Sequence, residues 1–210
     1  VISSRVISDP DILNQPLRLA KYASIITQQN KRLENQVEKV LKSTLAEKGR
    51  IHLEKESFLL NDCLAEVIKD FDLKAKEKNG EIILTTDSNI RQIYADKSHF
   101  ENLLSNLLDN ALKYCKKTPK VEIECQIKRG KIYLSISDNG IGIEEKYHKK
   151  IFTKFFRVPT GDIHDVKGFG LGLDYVKNII KAHQWKIELR AGKTQGSVFT
   201  IIIDQDQHEQ

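Results

Sequence analysis

From Leu17 to Lys48 the chain contains neither Gly nor Pro, and Leu19, Ile26, Leu33 and Val40 recur every seven residues. Ala23, Val37 and either Leu41 or Thr44 fill the neighbouring stripe, with the polar Asn30 among them. A seven-residue apolar period makes a narrow seam that a helix buries against another helix, and one polar residue in the seam sets register. A long surface helix lying on a globular body is the alternative. Gly49 stops the pattern. Upstream, residues 1–8 read as a helix end, Asp9-Pro10-Asp11 as a breaker, and Pro16 as the opening of the long helix. The expectation is a helical leader over 1–48 that pairs with a partner, and a separate body over 49–210.

The body changes period. Residues 51–54 alternate weakly and predict a strand. Asn61 or Asp62 is placed to cap a helix over 62–78, with Leu64, Val67, Ile68, Phe71 and Leu73 apolar and Asn79-Gly80 at its end. Ile82-Ile83-Leu84 and Ile90–Ala95 predict short strands. Asp96 then caps a helix over 97–116 whose apolar face is Phe100, Leu103, Leu104, Leu107, Leu108 and Ala111. Two alternating segments, 120–128 and 131–137, meet at Arg129-Gly130, the pattern of a hairpin. A Gly-punctuated stretch from Asp138 to Gly172 follows; it is long for a loop in a compact domain and predicts a mobile lid between Gly142 and Gly168. A helix over 172–183 and strands near 185–190 and 197–203 close the body. The order predicts an α+β fold, a mixed sheet with helices packed on one face.

Composition narrows the class. Hydrophobic residues make up 40% and charged residues 30%, a globular balance and not a disordered one. The net charge of +5 comes from 34 basic and 29 acidic residues, and no basic face carries interleaved aromatics, so no nucleic-acid partner is expected. No apolar run approaches the ~20 residues that span a bilayer, and no signal-peptide pattern opens the chain. The chain starts at Val1 and has no Met, so it reads as an excised fragment, with any membrane anchor expected outside it. Cys63, Cys115 and Cys125 are odd in number and fit no metal or CxxC spacing, which predicts reduced thiols.

Four segments carry chemistry. On the helix over 97–116, Asn106, Asn110 and Lys113 (or Tyr114) stand three or four apart and share a stripe. An amide oxygen can ligate Mg²⁺ and a lysine one turn on can meet phosphate, though amides that cap local backbone would read the same way. Asp138-Asn139-Gly140-Ile141-Gly142 follows a strand; its carboxylate can accept an exocyclic amine and its glycines allow close backbone approach, or it is a plain turn. Phe152-Thr153-Lys154-Phe155-Phe156-Arg157 is more aromatic than a loop needs and predicts anchors for the lid. Gly168-Phe169-Gly170-Leu171-Gly172 runs into a helix, where bare N–H groups and the dipole bind phosphate. Its spacing matches neither the dinucleotide fingerprint nor a P-loop.

In this order and spacing the four segments resemble the N, G1, F and G2 boxes of the histidine-kinase branch of the GHKL ATP-binding superfamily, and Gly196-Ser197 resembles its last glycine box. The resemblance covers residues 50–203, and residues 1–48 look like the tail of a dimerisation domain. It implies a Bergerat-type two-layer α/β sandwich preceded by a long dimerisation helix. It implies ATP and Mg²⁺ as the small-molecule partners, with Asn110 holding the metal, Asn106 supporting it, Lys113 on phosphate and Tyr114 flanking the nucleotide. Asp138 would read adenine, Gly140 and Gly142 would line the base pocket, and Gly168, Gly170 and Gly172, with Leu171 and Ser197, would complete the nucleotide-binding set. Arg157 or Lys167 would neutralise the γ-phosphate. The further partners implied are a second copy of the chain through the N-terminal helix and a response-regulator receiver domain, in the cytoplasmic portion of a membrane-anchored sensor.

Two departures sharpen the expectation. Hydrolytic members place a glutamate four residues before the metal-binding asparagine; here Asn106 stands there, an amide with no useful basicity, which suits transfer to a nucleophile other than water. The histidine box is absent. None of His52, His99, His148, His164, His183 and His208 precedes an acidic residue and Thr-Pro in the required way, so no autophosphorylation on the usual residue is expected. Asp174 and Gln184-Trp185 are tolerable deviations, and His52 is expected to be structural. The competing readings are a degenerate, non-catalytic nucleotide-binding or dimerisation module, and a serine kinase of an anti-anti-sigma-type partner, which would lack the heptad leader.

Overall fold

A computed structural model describes residues 18, 20–27, 51–88, 92–115, 118–159, 169–192 and 195–204. The chain divides by internal packing into two units, Val1–Thr44 and Leu45–Gln210. The first is helical over 20–27, where Thr27 Oγ1 donates to Ala23 O at 2.9 Å. The rest of the seven-residue pattern, including Asn30, Leu33, Val37 and Val40, lies outside the described residues.

The second unit is a two-layer α/β sandwich. Its elements are β1 (Glu56–Leu59), α1 (Leu60–Lys76), β2 (Glu81–Thr86), β3 (Gln92–Ala95), α2 (Lys97–Lys113), β4 (Lys120–Lys128), β5 (Lys131–Asp138), 3₁₀ turns at Glu145–Tyr147 and Lys150–Phe152, α3 (Gly172–Ala182), β6 (Lys186–Ala191) and β7 (Ser197–Asp204). Five strands form one sheet in the order β2-β4-β5-β7-β6. β2 and β4 run parallel and the other pairs antiparallel, while β1 and β3 make a separate antiparallel pair. The β4–β5 hairpin turns through Arg129 and Gly130, both with positive φ, a geometry whose twist matches that of the strands.

Alternation along the central strands sets the layers. Val121, Ile123 and Cys125 of β4, Ile132, Leu134 and Ile136 of β5, and Phe199, Ile201 and Ile203 of β7 are buried, and their neighbours in sequence are not. These residues form one cluster with the apolar faces of α1, α2 and α3. On α2 the predicted face, Phe100 through Ala111, is buried together with Leu112. Each such side chain contributes about 1.5–3 kcal/mol. Phe100 meets Trp185 edge-on at 6.0 Å between ring centroids.

Several boundaries differ from expectation: α2 stops at Lys113 and not at 116, and α1 stops at Lys76 and not at 78. Residues 51–55 are irregular, so His52 lies outside any strand; the strand begins at Glu56, where register with β3 becomes available. α1 starts at Leu60, with Leu59 in the cap position and no side-chain cap, so neither Asn61 nor Asp62 plays that role. Asp96 does cap α2: its Oδ1 accepts from His99 N at 2.9 Å. Its Oδ2 accepts Glu54 N at 2.9 Å, and its own N–H donates to His183 Nε2 at 3.1 Å. His183, fully buried and stacked on Trp185, donates from Nδ1 to Ile179 O, so its ring is neutral with the proton on Nδ1. Burial depresses its pKa below the usual imidazole value.

Candidate functional site

The C-terminal half of α2 carries the polar stripe. Asn102, Asn106 and Asn110 are each four apart and half-buried. Asn102 Nδ2 donates to Ser98 O at 2.8 Å and Asn106 Nδ2 to Asn102 O at 2.7 Å. Asn102 and Asn106 therefore do bond their own backbone, through nitrogen. The Asn106 oxygen faces the start of α3: a Cβ on Gly172 would stand 2.8 Å from Asn106 Oδ1. A side chain there would displace the Asn106 amide oxygen. Lys113 is ion-paired with Asp109 one turn back on the exposed face. Exposed pairs of this kind are weak, which leaves the ammonium free to exchange partners.

Beyond Lys113 the chain meets the end of β5. Ile141 N donates to Tyr114 O at 3.2 Å, and a Cβ on Gly140 would lie 2.9 Å from that same carbonyl. Asp138, the last residue of β5, accepts Gly140 N at 2.8 Å and Ser197 N at 3.3 Å, both on Oδ1. Among the described residues Oδ2 has no donor. Burial raises the Asp138 pKa above the usual carboxylate value, and the two backbone N–H groups oppose the rise. Gly196 makes the close packing possible: at φ +89° its Cβ would sit 1.8 Å from Asp138 O. Gly142 lies against Gly196 O. Asp138, Gly140, Gly142, Tyr114 and Ser197 thus form one wall.

The aromatic segment is folded, and the remainder of the expected lid, 160–168, lies outside the described residues. Ile151 is buried, Phe152 packs on Phe199 at 6.4 Å, and Phe156 on Tyr147 at 5.9 Å. Phe155 is the exception: it is exposed, and its N–H donates to Gly170 O at 3.0 Å. The expected aromatic anchoring is present at Phe152 and Phe156. Arg157 is exposed at the end of this segment. Lys167 and Gly168 lie outside the described residues. The Leu171 side chain is buried in the core, so only its backbone faces the site. α3 begins at Gly172 with no side-chain cap, so its first-turn N–H groups have no cap among the described residues.

Sequence reasoning missed Asn139 and Cys115. Asn139 Oδ1 accepts Lys120 N at 2.8 Å and the Cys115 thiol at 3.2 Å, and Nδ2 donates to Thr118 O at 3.0 Å. The signal was its place inside Asp-Asn-Gly. A separate open groove of about 510 Å³, lined by residues including His52, Lys55, Asp96 and His99, lies at the other end of α2.

Residues 95–207 match the family described as Histidine kinase-, DNA gyrase B-, and HSP90-like ATPase, a span that includes the α2 stripe, the Asp138 wall and the start of α3. The chain belongs to this family. Within this ATPase family it is 37% identical over 206 residues to Sensor protein RprX of Bacteroides fragilis, covering 96% of this chain and 39% of that protein. The Acinetobacter baumannii histidine kinase AdeS superposes with a TM-score of 0.70 at 25% identity, covering 89% of this chain and 85% of that one. The histidine kinase ThkA, solved in complex with the response regulator TrrA, gives a TM-score of 0.68 at 28% identity, covering 94% and 52%. The chain is thus a histidine-kinase-like ATPase domain of the sensor-kinase type, spanning 39% of the length of RprX. Among the described residues no helix is long and apolar enough to cross a membrane.

Proposed function

We propose that this chain is the ATP-binding catalytic core of a two-component sensor histidine kinase, which transfers the γ-phosphoryl group of ATP to a histidine for relay to a response-regulator aspartate. The observation that carries the reading is Asp138: a half-buried carboxylate with Oδ1 held by two backbone N–H groups and Oδ2 left to accept an exocyclic amine. The amide stripe of α2 and the uncapped start of α3, which approach each other at Asn106 and Gly172, complete the set.

In this reading Asp138 Oδ2 accepts from the adenine amine, while Gly140, Gly142, Tyr114 and Ser197 shape the base pocket. The first-turn N–H groups of α3, with Gly168, Gly170, Leu171 and Gly172, hold the phosphates. Asn110 supplies an amide oxygen to Mg²⁺, which would offset charge on the transferring phosphoryl group, and Asn106 supports that oxygen set. The donor set fits a hard cation, since amide oxygens are its ordinary ligands. Lys113 leaves Asp109 for phosphate, and Arg157 or Lys167 adds positive charge. No carboxylate stands at Asn106 to activate water, so ATP is oriented for a separate imidazole nucleophile.

We divide the parent protein accordingly: 1–48 as part of a dimerisation domain that pairs two copies, and 49–210 as the ATP-binding domain. The response regulator in the ThkA complex supports a receiver-domain partner. A cytoplasmic position beside a membrane anchor outside the chain follows from the same reading.

The test is trans-phosphorylation of a separately supplied dimerisation domain that carries its histidine. Wild type should transfer phosphate, and Asn110→Ala should be slower by about 100-fold or more. Equal rates would remove Asn110 from the site; tight Mg-ADP binding with no transfer to a matched acceptor would favour the degenerate module.

A further inference from the structure

We propose that Asn139 is a positioning residue for the adenine side of the site, holding the exit of α2 against the end of β5. The inference rests on the nucleotide-binding reading above and adds a residue to which that reading gives no task. Its side chain spends three bonds on one short connection, that between α2 and β4. Oδ1 takes the Cys115 thiol from one end of the connection and the Lys120 N–H from the other, and Nδ2 donates to Thr118 O between them.

The connection needs such a brace because it forms part of the wall. Tyr114 O accepts Ile141 N and occupies the space that a Gly140 side chain would fill. Pro119 O accepts Glu81 N at 2.9 Å, which ties the same connection to the start of β2. Asn139 sits between Asp138, whose Oδ2 is the candidate adenine acceptor, and Gly140, whose N–H fixes Oδ1. A side chain that bonds to Cys115, Thr118 and Lys120 from this position sets the distance between Tyr114 and Asp138. Asn139 is itself exposed, so its bonds close no core and bury no apolar surface. Its effect therefore falls on the wall more than on the fold.

An amide is the side chain that suits this position. Two donors, a thiol and a backbone N–H, meet one acceptor, while the carbonyl of Thr118 needs a donor. Aspartate keeps the acceptor and loses the donor. Alanine loses both. Serine at 115 keeps a donor to Oδ1, and alanine at 115 does not.

The experiment measures Mg-ADP and Mg-pyrophosphate binding by calorimetry, with thermal melts on the same samples. Asn139→Ala should weaken Mg-ADP about tenfold, the loss of one well-placed bond's worth of geometry, and leave Mg-pyrophosphate unchanged. Its Tm should stay within about 3 °C of wild type. In transfer assays KM for ATP should rise while kcat at saturation holds. Asn139→Asp should fall between Asn139→Ala and wild type, and Cys115→Ala should weaken Mg-ADP in the wild-type background but not in Asn139→Ala, with Cys115→Ser restoring affinity. Unchanged Mg-ADP affinity in Asn139→Ala overturns the proposal, as does equal weakening of ADP and pyrophosphate. If Asn139→Ala fails to fold, Asn139→Asp and the Cys115 pair carry the same readout. Wild type failing to bind Mg-ADP at all would instead strike the nucleotide reading itself.

Discussion

The two ends of helix α2 treat their polar groups in opposite ways. At its start, Asp96 is saturated by other parts of the protein: Oδ1 caps the helix, Oδ2 holds Glu54, and its N–H reaches His183, whose other nitrogen bonds Ile179. Beyond its other end, Asp138 engages one oxygen and leaves the second without a donor among the described residues. On the stripe, Asn106 turns its nitrogen to its own helix and its oxygen toward Gly172. Asp138 is half-buried, so an oxygen without a protein donor there stays open to a donor from a ligand. The first end supports the fold, and the second leaves open the acceptors that the proposed nucleotide site requires.

Gly196→Ala should break that division most severely. It lies on the binding side, yet at φ +89° a Cβ there would stand 1.8 Å from Asp138 O. Strain and the clash together should cost about 3 kcal/mol or more, and Mg-ADP binding should be lost with the fold. Urea unfolding and calorimetry on the same variant read both. A midpoint equal to wild type would mean that this turn and the end of β5 can separate freely, and the wall would not be the rigid feature described.

Asp138→Asn should sharpen the division, because affinity and stability move in opposite directions. Binding should weaken about 100-fold, since the amide offers a donor where the adenine amine needs an acceptor. Stability should rise by about 0.5–1 kcal/mol at neutral pH. Burial raises the carboxyl's pKa, so the unfolded chain loses this proton first as pH increases. The group's contribution is present in acid and is lost as pH rises through the folded pKa, and the neutral amide escapes that loss. A variant that is less stable than wild type and still binds would show Oδ2 to be structural. Asp96→Ala should give the converse. Losing a cap and the bond to Glu54 should cost about 2 kcal/mol, while the fraction that remains folded binds Mg-ADP within about twofold of wild type. A large affinity loss there would show that the two ends of α2 are not separable.

How much of this was legible in the sequence follows the range of the interactions. The apolar face of α2, its Asp96 cap and the Arg129-Gly130 hairpin depend on neighbours three or four residues away, and the structure has all three. β1 was misplaced onto 51–54 because its register is set by β3, more than thirty residues on. Asp138, Gly140 and Gly172 stood out because their residue types are unusual for strand ends and helix starts. Nothing local marks the Asp96–His183 bond, whose partners are 87 residues apart. Asn139 was hidden differently: its neighbours in Asp-Asn-Gly drew attention to the turn, and its three bonds reach back across a strand.

The smallest effect expected is the pH dependence built into the structural end. The His183 pKa is depressed by burial first, opposed by its bond to Ile179; Lys55 and His99 press it further down and Asp96 holds it up. With the folded pKa below the unfolded value of about 6.5, the stability this ring contributes is intact above that pH and is lost as pH falls. Below it the unfolded chain takes up a proton that the folded ring resists, because Nε2 already accepts Asp96 N–H. The loss cannot exceed about 1.4 kcal/mol per pH unit, the limit for a single proton. Unfolding free energies measured between pH 7.5 and 5.5 should fall in wild type and fall less steeply in His183→Gln, which removes the titrating ring. Parallel slopes for the two proteins would assign the acid sensitivity to other groups. They would also leave the neutral, saturated ring as a matter of packing alone.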